Sequence, residues 1–294
     1  MKAVAGALLA LALALLPPVR AIAQPATRSQ FFTTSDGVRL HYLERGTGQA
    51  VVFIPGWTMP ARIWERQLDA LGRRYRVIAI DPRNQGQSGR TTEGNFPERR
   101  ATDVKELIDH LGAAPAVVAG WSLGVREALT YVRLFGTRTL RGVILVDGQV
   151  WTPPSESSRH ANATFIHDVQ TRRAAVTPDF VKRMFATPQD EAYLAGLARD
   201  SQAVPTSAAV AMLADLYLEN DMRDVLASID VPVLAIMRAG HALQATTVKE
   251  RLPAAETEIF ERAGHALFVD EADRFNRRVD AFLSAIAARA REPR

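Results

Sequence analysis

The stretch Val117-Val118-Ala119-Gly120-Trp121-Ser122-Leu123-Gly124-Val125 decides how the rest of the chain is read. It predicts a short apolar strand, a sharp turn at Gly-Trp-Ser-Leu-Gly, and a helix starting near Val125. A serine between two glycines at this spacing is a nucleophile elbow. Gly120 and Gly124 let the strand and helix backbones approach closely. Ser122 is then lifted out of the sheet above a helix N-terminus, where partial positive charge and free N–H groups favour a developing oxyanion. A plain Gly-Ser turn would spell the same five letters, so the surrounding sequence must decide.

Working outward, Ala50-Val51-Val52-Phe53-Ile54, Arg76-Val77-Ile78-Ala79-Ile80, Gly142-Val143-Ile144-Leu145-Val146 and the run over 231–237 are near-continuous apolar segments. Such runs suit strands of a parallel sheet, buried on both faces. A last strand is expected at Glu256-Thr257-Glu258-Ile259-Phe260. An N-terminal hairpin is expected around Ser35-Asp36-Gly37. Helical periodicity marks Ile63, Trp64, Gln67, Leu68 and Leu71, then Val104, Leu107, Ile108 and Leu111, and finally Phe275, Val279, Phe282, Leu283 and Ile286. Alternating strands and helices give an α/β, mostly parallel, doubly wound sheet. From 148 to 230 the strand runs stop and helical stretches replace them, over 178–185, 191–199 and 208–218. An insertion of about eighty residues is too long for an idle loop. The expected division is therefore a leader over 1–23, a core over 24–147 and 231–294, and a helical cap over 148–230 after the sixth strand.

The leader is read from Met1-Lys2, an alanine- and leucine-rich run to Leu16, Pro17-Pro18 and Ala21-Ile22-Ala23. This is the pattern of a secretory signal peptide, with an apolar run too short to span a bilayer comfortably. It predicts an exported chain, periplasmic or secreted, without a membrane span once the leader is removed. The formal charge of +4 includes Lys2 and Arg20, so the remaining chain carries +2. With no long basic run, nucleic acid is not an expected partner. The 294 residues include no cysteine, which excludes disulfides, zinc-thiolate sites and cysteine nucleophiles.

Three chemically useful groups follow strand ends, where open α/β sheets bind ligands. Ser122 follows one strand, Asp147 the next, and His265 the last, in Ala263-Gly264-His265-Ala266. A serine hydroxyl needs an adjacent base, an imidazole can accept and return its proton, and a carboxylate fixes the imidazole tautomer. No metal or cofactor is called for by this set.

These pieces together resemble the α/β-hydrolase superfamily, in its capped, esterase- and lactonase-like branch. The matching segments are Pro55-Gly56-Trp57, Asp81-Pro82-Arg83-Asn84-Gln85-Gly86-Gln87-Ser88, Gly120-Trp121-Ser122-Leu123-Gly124, and Gly264-His265-Ala266-Leu267-Phe268-Val269-Asp270-Glu271. The resemblance implies Ser122 as nucleophile, His265 as base, and the backbone N–H groups of Trp57 and Leu123 as oxyanion donors. Many relatives carry the acid after the seventh strand, but that turn reads Met237-Arg238-Ala239-Gly240-His241, with no carboxylate. Some branches place it after the sixth strand, which points to Asp147. Asp270 and Glu271 are weaker candidates, expected to open the last helix. Asp81 and Arg83 are read as structural.

Trp121, Trp151 and His241 are expected near the substrate pocket, with His160, His167, Met184, Phe185, Met212 and Tyr217 as further candidates from the cap. The implied activity is cofactor-free hydrolysis of a small-molecule carboxylic ester or lactone through an acyl-enzyme. Alternatives on the same residues are C–C bond hydrolysis, acyl transfer and perhydrolysis. A receptor with a vestigial triad is the alternative from another class. The sequence leaves substrate size and oligomeric state open.

Overall fold

The computed structural model describes residues 26–153, 155–218 and 221–289; the leader expected over 1–23 lies outside them. The strands are β1 (Arg28–Thr33), β2 (Arg39–Arg45), β3 (Ala50–Ile54), β4 (Arg76–Ile80), β5 (Ala116–Trp121), β6 (Leu140–Val146), β7 (Val233–Arg238) and β8 (Glu256–Phe260). They form one sheet in the order β1-β2-β4-β3-β5-β6-β7-β8. The first two strands make the hairpin expected at Asp36-Gly37, and β2 runs antiparallel to β4. From β4 across to β8 every pairing is parallel.

Successive side chains of a strand point to opposite faces. Val52, Ile54, Val118, Val143 and Leu145 therefore join one core, and Val51, Phe53, Val117, Ala119, Ile144 and Val146 the other. The first core is covered by α2 (Pro97–His110), α3 (Leu123–Phe135) and α8 (Ala242–Arg251). The second is covered by α1 (Glu65–Leu71) and α10 (Ala272–Arg289), whose Phe275, Val279, Phe282, Leu283 and Ile286 form the periodic buried face. Each such side chain contributes about 1.5–3 kcal/mol when fully buried.

Between β6 and β7 lie α4 (Glu156–Lys182), α5 (Glu191–Ala203), α6 (Thr206–Leu218) and α7 (Arg223–Ala227). The sequence predicted a helix over 178–185 here; instead one long helical element ends at Lys182. Its chain leaves helical geometry at Arg172, and it includes Pro178. Only Val169, Arg173, Thr177 and Val181 are buried along it, a single stripe four residues apart in which two members are polar. Val169 packs with Ala208, Ala209, Met212 and Leu213 of α6 over Trp57 and Leu123 at the strand ends. Among the described residues, no helix is long and apolar enough to cross a membrane.

Gly120 and Gly124 set the spacing of β5, α3 and β3. A Cβ on Gly120 would lie 2.0 Å from the Gly124 carbonyl oxygen, and one on Gly124 would lie 2.5 Å from that of Ile54. Neither backbone neighbour can swing aside. Gly120→Ala and Gly124→Ala should each lower the melting temperature by at least about 3 °C, since overpacking of this kind costs about 1–3 kcal/mol. Thermal melts monitored by circular dichroism measure it.

Candidate active site

Ser122 joins β5 to α3 with φ +56° and ψ −117°, a strained conformation for a residue with a side chain. Its N–H donates to Val146 O at 3.0 Å and its carbonyl accepts from Val125 N at 3.0 Å, which fixes the turn. The side chain makes no capping bond at the start of α3. It lines a cavity of about 270 Å³.

His265, Asp147, Arg238 and His241 line the same cavity. Asp147 Oδ2 lies 2.6 Å from His265 Nδ1. A carboxylate only accepts, so Nδ1 carries the proton and Nε2 keeps its lone pair. The His265 carbonyl accepts from Trp121 Nε1 at 2.9 Å, and the two rings lie 5.0 Å apart. No direct hydrogen bond joins Ser122 Oγ to His265 among the described residues. Nucleophile–base contacts often close only when substrate binds.

Asp147 is 0 % exposed and carries more partners than the sequence suggested. Oδ1 accepts from Arg238 N at 2.9 Å and lies 3.1 Å from His241 Nδ1, while Arg238 Nε stands 3.1 Å from Oδ2. Arg238 Nη2 donates to His241 Nε2 at 3.0 Å, which leaves the His241 proton on Nδ1, beside the carboxylate. Burial alone would raise the Asp147 pKa. Hydrogen bonds and electrostatic attraction from His241 and His265 outweigh it and hold the carboxyl well below the usual range. The donor atoms of Asp147, His241 and His265 lie within 4.8 Å of one another, a spacing that suits a cation. The Arg238 guanidinium already balances the carboxylate there.

Trp57 and Leu123 present backbone N–H groups without protein partners among the described residues. The Trp57 loop is fixed by Gln85 Nε2, which donates to Gly56 O at 3.1 Å and Met59 O at 2.7 Å. The Trp57 indole donates to Ala209 O at 2.9 Å and packs edge-on against Phe165 and Phe180, so it both lines the cavity and anchors α6.

The family model described as the alpha/beta hydrolase family matches residues 51–278. The chain belongs to the alpha/beta hydrolase family. The non-heme chloroperoxidase CPO-A1 of Kitasatospora aureofaciens is 26% identical over 273 residues, covering 86% of this chain and 98% of that protein. An esterase from Exiguobacterium antarcticum superposes with a TM-score of 0.81 at 24% identity, over 87% of this chain and 100% of that one. The enol-lactonase of Burkholderia xenovorans superposes with a TM-score of 0.74 at 20% identity, over 87% and 100%. The last two likenesses are of fold.

Within this alpha/beta hydrolase, the other candidates separate cleanly. Trp121 and His241 line the cavity, as do Met184 and Tyr217. Trp151, expected there, is not among the lining residues. Gln244 binds its N–H at 3.2 Å and its carbonyl at 2.8 Å, and its ring lies under the Arg223 guanidinium at 4.3 Å. Asp270 binds the N–H groups of Ala186, Thr187 and Gly264 rather than the imidazole. Arg83 is fully buried on Asp103 and Asp36, as a structural group should be. Arg238, the partner of both Asp147 and His241, was missed; its place at the end of β7, beside the turn already singled out for lacking a carboxylate, was the available signal.

A second Ser–His–Asp row exists. Ser29 Oγ lies 2.8 Å from His41 Nε2, and His41 Nδ1 lies 2.7 Å from Asp81 Oδ2. Ser29 is exposed on the regular edge strand β1, and none of the three lines the cavity.

The lowered Asp147 pKa ties stability to pH. The folded value lies below the unfolded reference of 3.8, so the contribution is full above that reference and is lost as pH falls toward the folded value. Urea unfolding of wild type and Asp147→Asn should differ by a constant amount at about pH 5–7. The gap should narrow once the pH drops below 3.8. A gap unchanged in strong acid would contradict the assignment.

Proposed function

We propose that this chain hydrolyses small carboxylic esters or lactones through an acyl-enzyme on Ser122. The observation that carries the reading is the Asp147–His265 contact at the cavity that Ser122 enters from a strained elbow. Ser122 Oγ attacks the acyl carbonyl while His265 Nε2 takes its proton. The Trp57 and Leu123 N–H groups receive the oxyanion, an arrangement in which each donor is worth about 3–4 kcal/mol. The imidazolium then returns the proton to the departing alkoxide. Water, activated by the same nitrogen, releases the acid and restores the hydroxyl. The esterase and enol-lactonase of like fold are consistent with this chemistry. Residues 148–230 act as the cap over the site, and the leader over 1–23 directs the chain to the periplasm or outside.

A relative named as a bifunctional esterase/perhydrolase, 32% identical over 119 residues, favours one variant: hydrogen peroxide in place of water attacks the acyl-enzyme, and the acyl group leaves Ser122 as a peracid. A receptor with the same residues would bind ligand without turnover.

Hydrolysis of nitrophenyl butyrate by the mature protein decides among these. Ser122→Ala should abolish turnover, and Asp147→Asn should lower kcat by about a thousandfold or more. Retention of full activity by Ser122→Ala would remove Ser122 as nucleophile. Peracid formed when peroxide is added would support the variant. In a separate measurement, a fluorophosphonate probe followed by peptide mass spectrometry should modify Ser122 and leave Ser29 untouched, because Ser29 has a relay but no elbow.

A further inference from the structure

We infer that the cavity is built for an ester or lactone that itself carries a carboxylate, held by Arg183 and Tyr217. This rests on the hydrolase reading above and specifies its substrate class. The cavity wall is largely apolar, formed by residues such as Trp57, Phe165, Phe180 and Leu216. Its charged side chains, besides the histidines, are Asp147, Arg238 and Arg183. Asp147 and Arg238 neutralise one another at 3.1 Å. Arg183 has no ion-pair partner among the described residues, so the cavity keeps one unmatched positive charge.

Arg183 is exposed where it lines the cavity, and its backbone is held in place. It caps the C-terminus of α4, and the next residues are fastened to the loop that carries His265. Ala266 N donates to Met184 O at 2.8 Å, and Asp270 Oδ2 accepts from both Ala186 N at 2.8 Å and Gly264 N at 2.7 Å. A Cβ on Gly264 would meet Met184 O at 2.6 Å, so the close approach needs glycine. The backbone that carries Arg183 is thus held against the loop of the proposed base. Tyr217, from α6, adds a hydroxyl to the cavity that makes no hydrogen bond to protein among the described residues. Burial raises its pKa, so it stays a donor at neutral pH. A guanidinium fork and a phenolic O–H on the wall of one largely apolar cavity are donors suited to a carboxylate. A wholly hydrocarbon acyl chain would offer neither group a partner.

The test compares nitrophenyl hexanoate with nitrophenyl monoadipate, which replaces the terminal methyl with a carboxylate. The charged ester should be preferred about tenfold or more in kcat/KM, with the preference weakening as salt is raised. Arg183→Met should collapse the preference by about ten- to a hundredfold, and Arg183→Lys should retain part of it. Preference for the neutral ester, or a ratio unmoved by Arg183→Met, would overturn the inference. Adipate itself, titrated against the tryptophan fluorescence of Ser122→Ala protein, gives a readout that needs no catalysis. Saturable quenching that disappears in the Ser122→Ala, Arg183→Met double variant supports the anion site. Quenching that is absent, or indifferent to Arg183, rejects it. If neither ester is turned over, the hydrolase reading fails, and the adipate titration still decides the anion site.

Discussion

A carboxylate sealed from solvent stays ionised only when donors and positive charge surround it. Asp147 meets that condition through contributions from two separate segments. The end of β7 and the turn that follows it supply the Arg238 N–H, the Arg238 guanidinium and His241, and the loop after β8 supplies His265. Asp147 itself follows β6 with φ +42°. Three neighbouring strands must therefore end at matching heights for one side chain to be satisfied. The parallel register of β6, β7 and β8 provides this.

The nucleophile side of the site depends on a different economy, that of backbone spacing. Gly56, Gly120, Gly124 and Gly148 all border the elbow, and a Cβ on any of them would lie 3.0 Å or less from a neighbouring atom. Support then spreads outward. Gln85 fixes the Gly56–Met59 turn, and Arg100 donates to Gln85 at 2.9 Å while its Nε holds Glu127 at 2.6 Å. The segment Asp81–Ser88 is thus a strut beneath the proposed oxyanion donors, rather than a contributor to the chemistry. Above them, the Trp57 indole ties the same turn to α6.

The sheet, its order of strands and helices, and the convergence of Ser122, Asp147 and His265 were legible because they follow from short-range patterns. Apolar runs, glycine spacing and polar residues at strand ends are all local signals. α4 was not legible, because half of its buried stripe is Arg173 and Thr177, which satisfy themselves on backbone carbonyls and leave little hydrophobic periodicity. The direction of Trp151 was hidden for another reason: it is set by Gln244, 93 residues away in sequence. The pairing of Arg238 with His241 lay between these cases. The turn was noticed for lacking an acid, but the side chains it carries act on an acid supplied by a neighbouring strand.

The row formed by Ser29, His41 and Asp81 repeats the interatomic distances expected of an activated hydroxyl, yet it serves to fasten the hairpin to the Asp81 loop. Judged by spacing alone, this row would be the more complete of two reaction centres, since Ser122 makes no direct hydrogen bond to His265 among the described residues. Backbone torsion tells them apart: one serine sits on flat, relaxed ribbon, and the other is forced into a conformation that its neighbours must hold in place. Reactivity in this molecule is therefore a property of the socket more than of the wiring behind it.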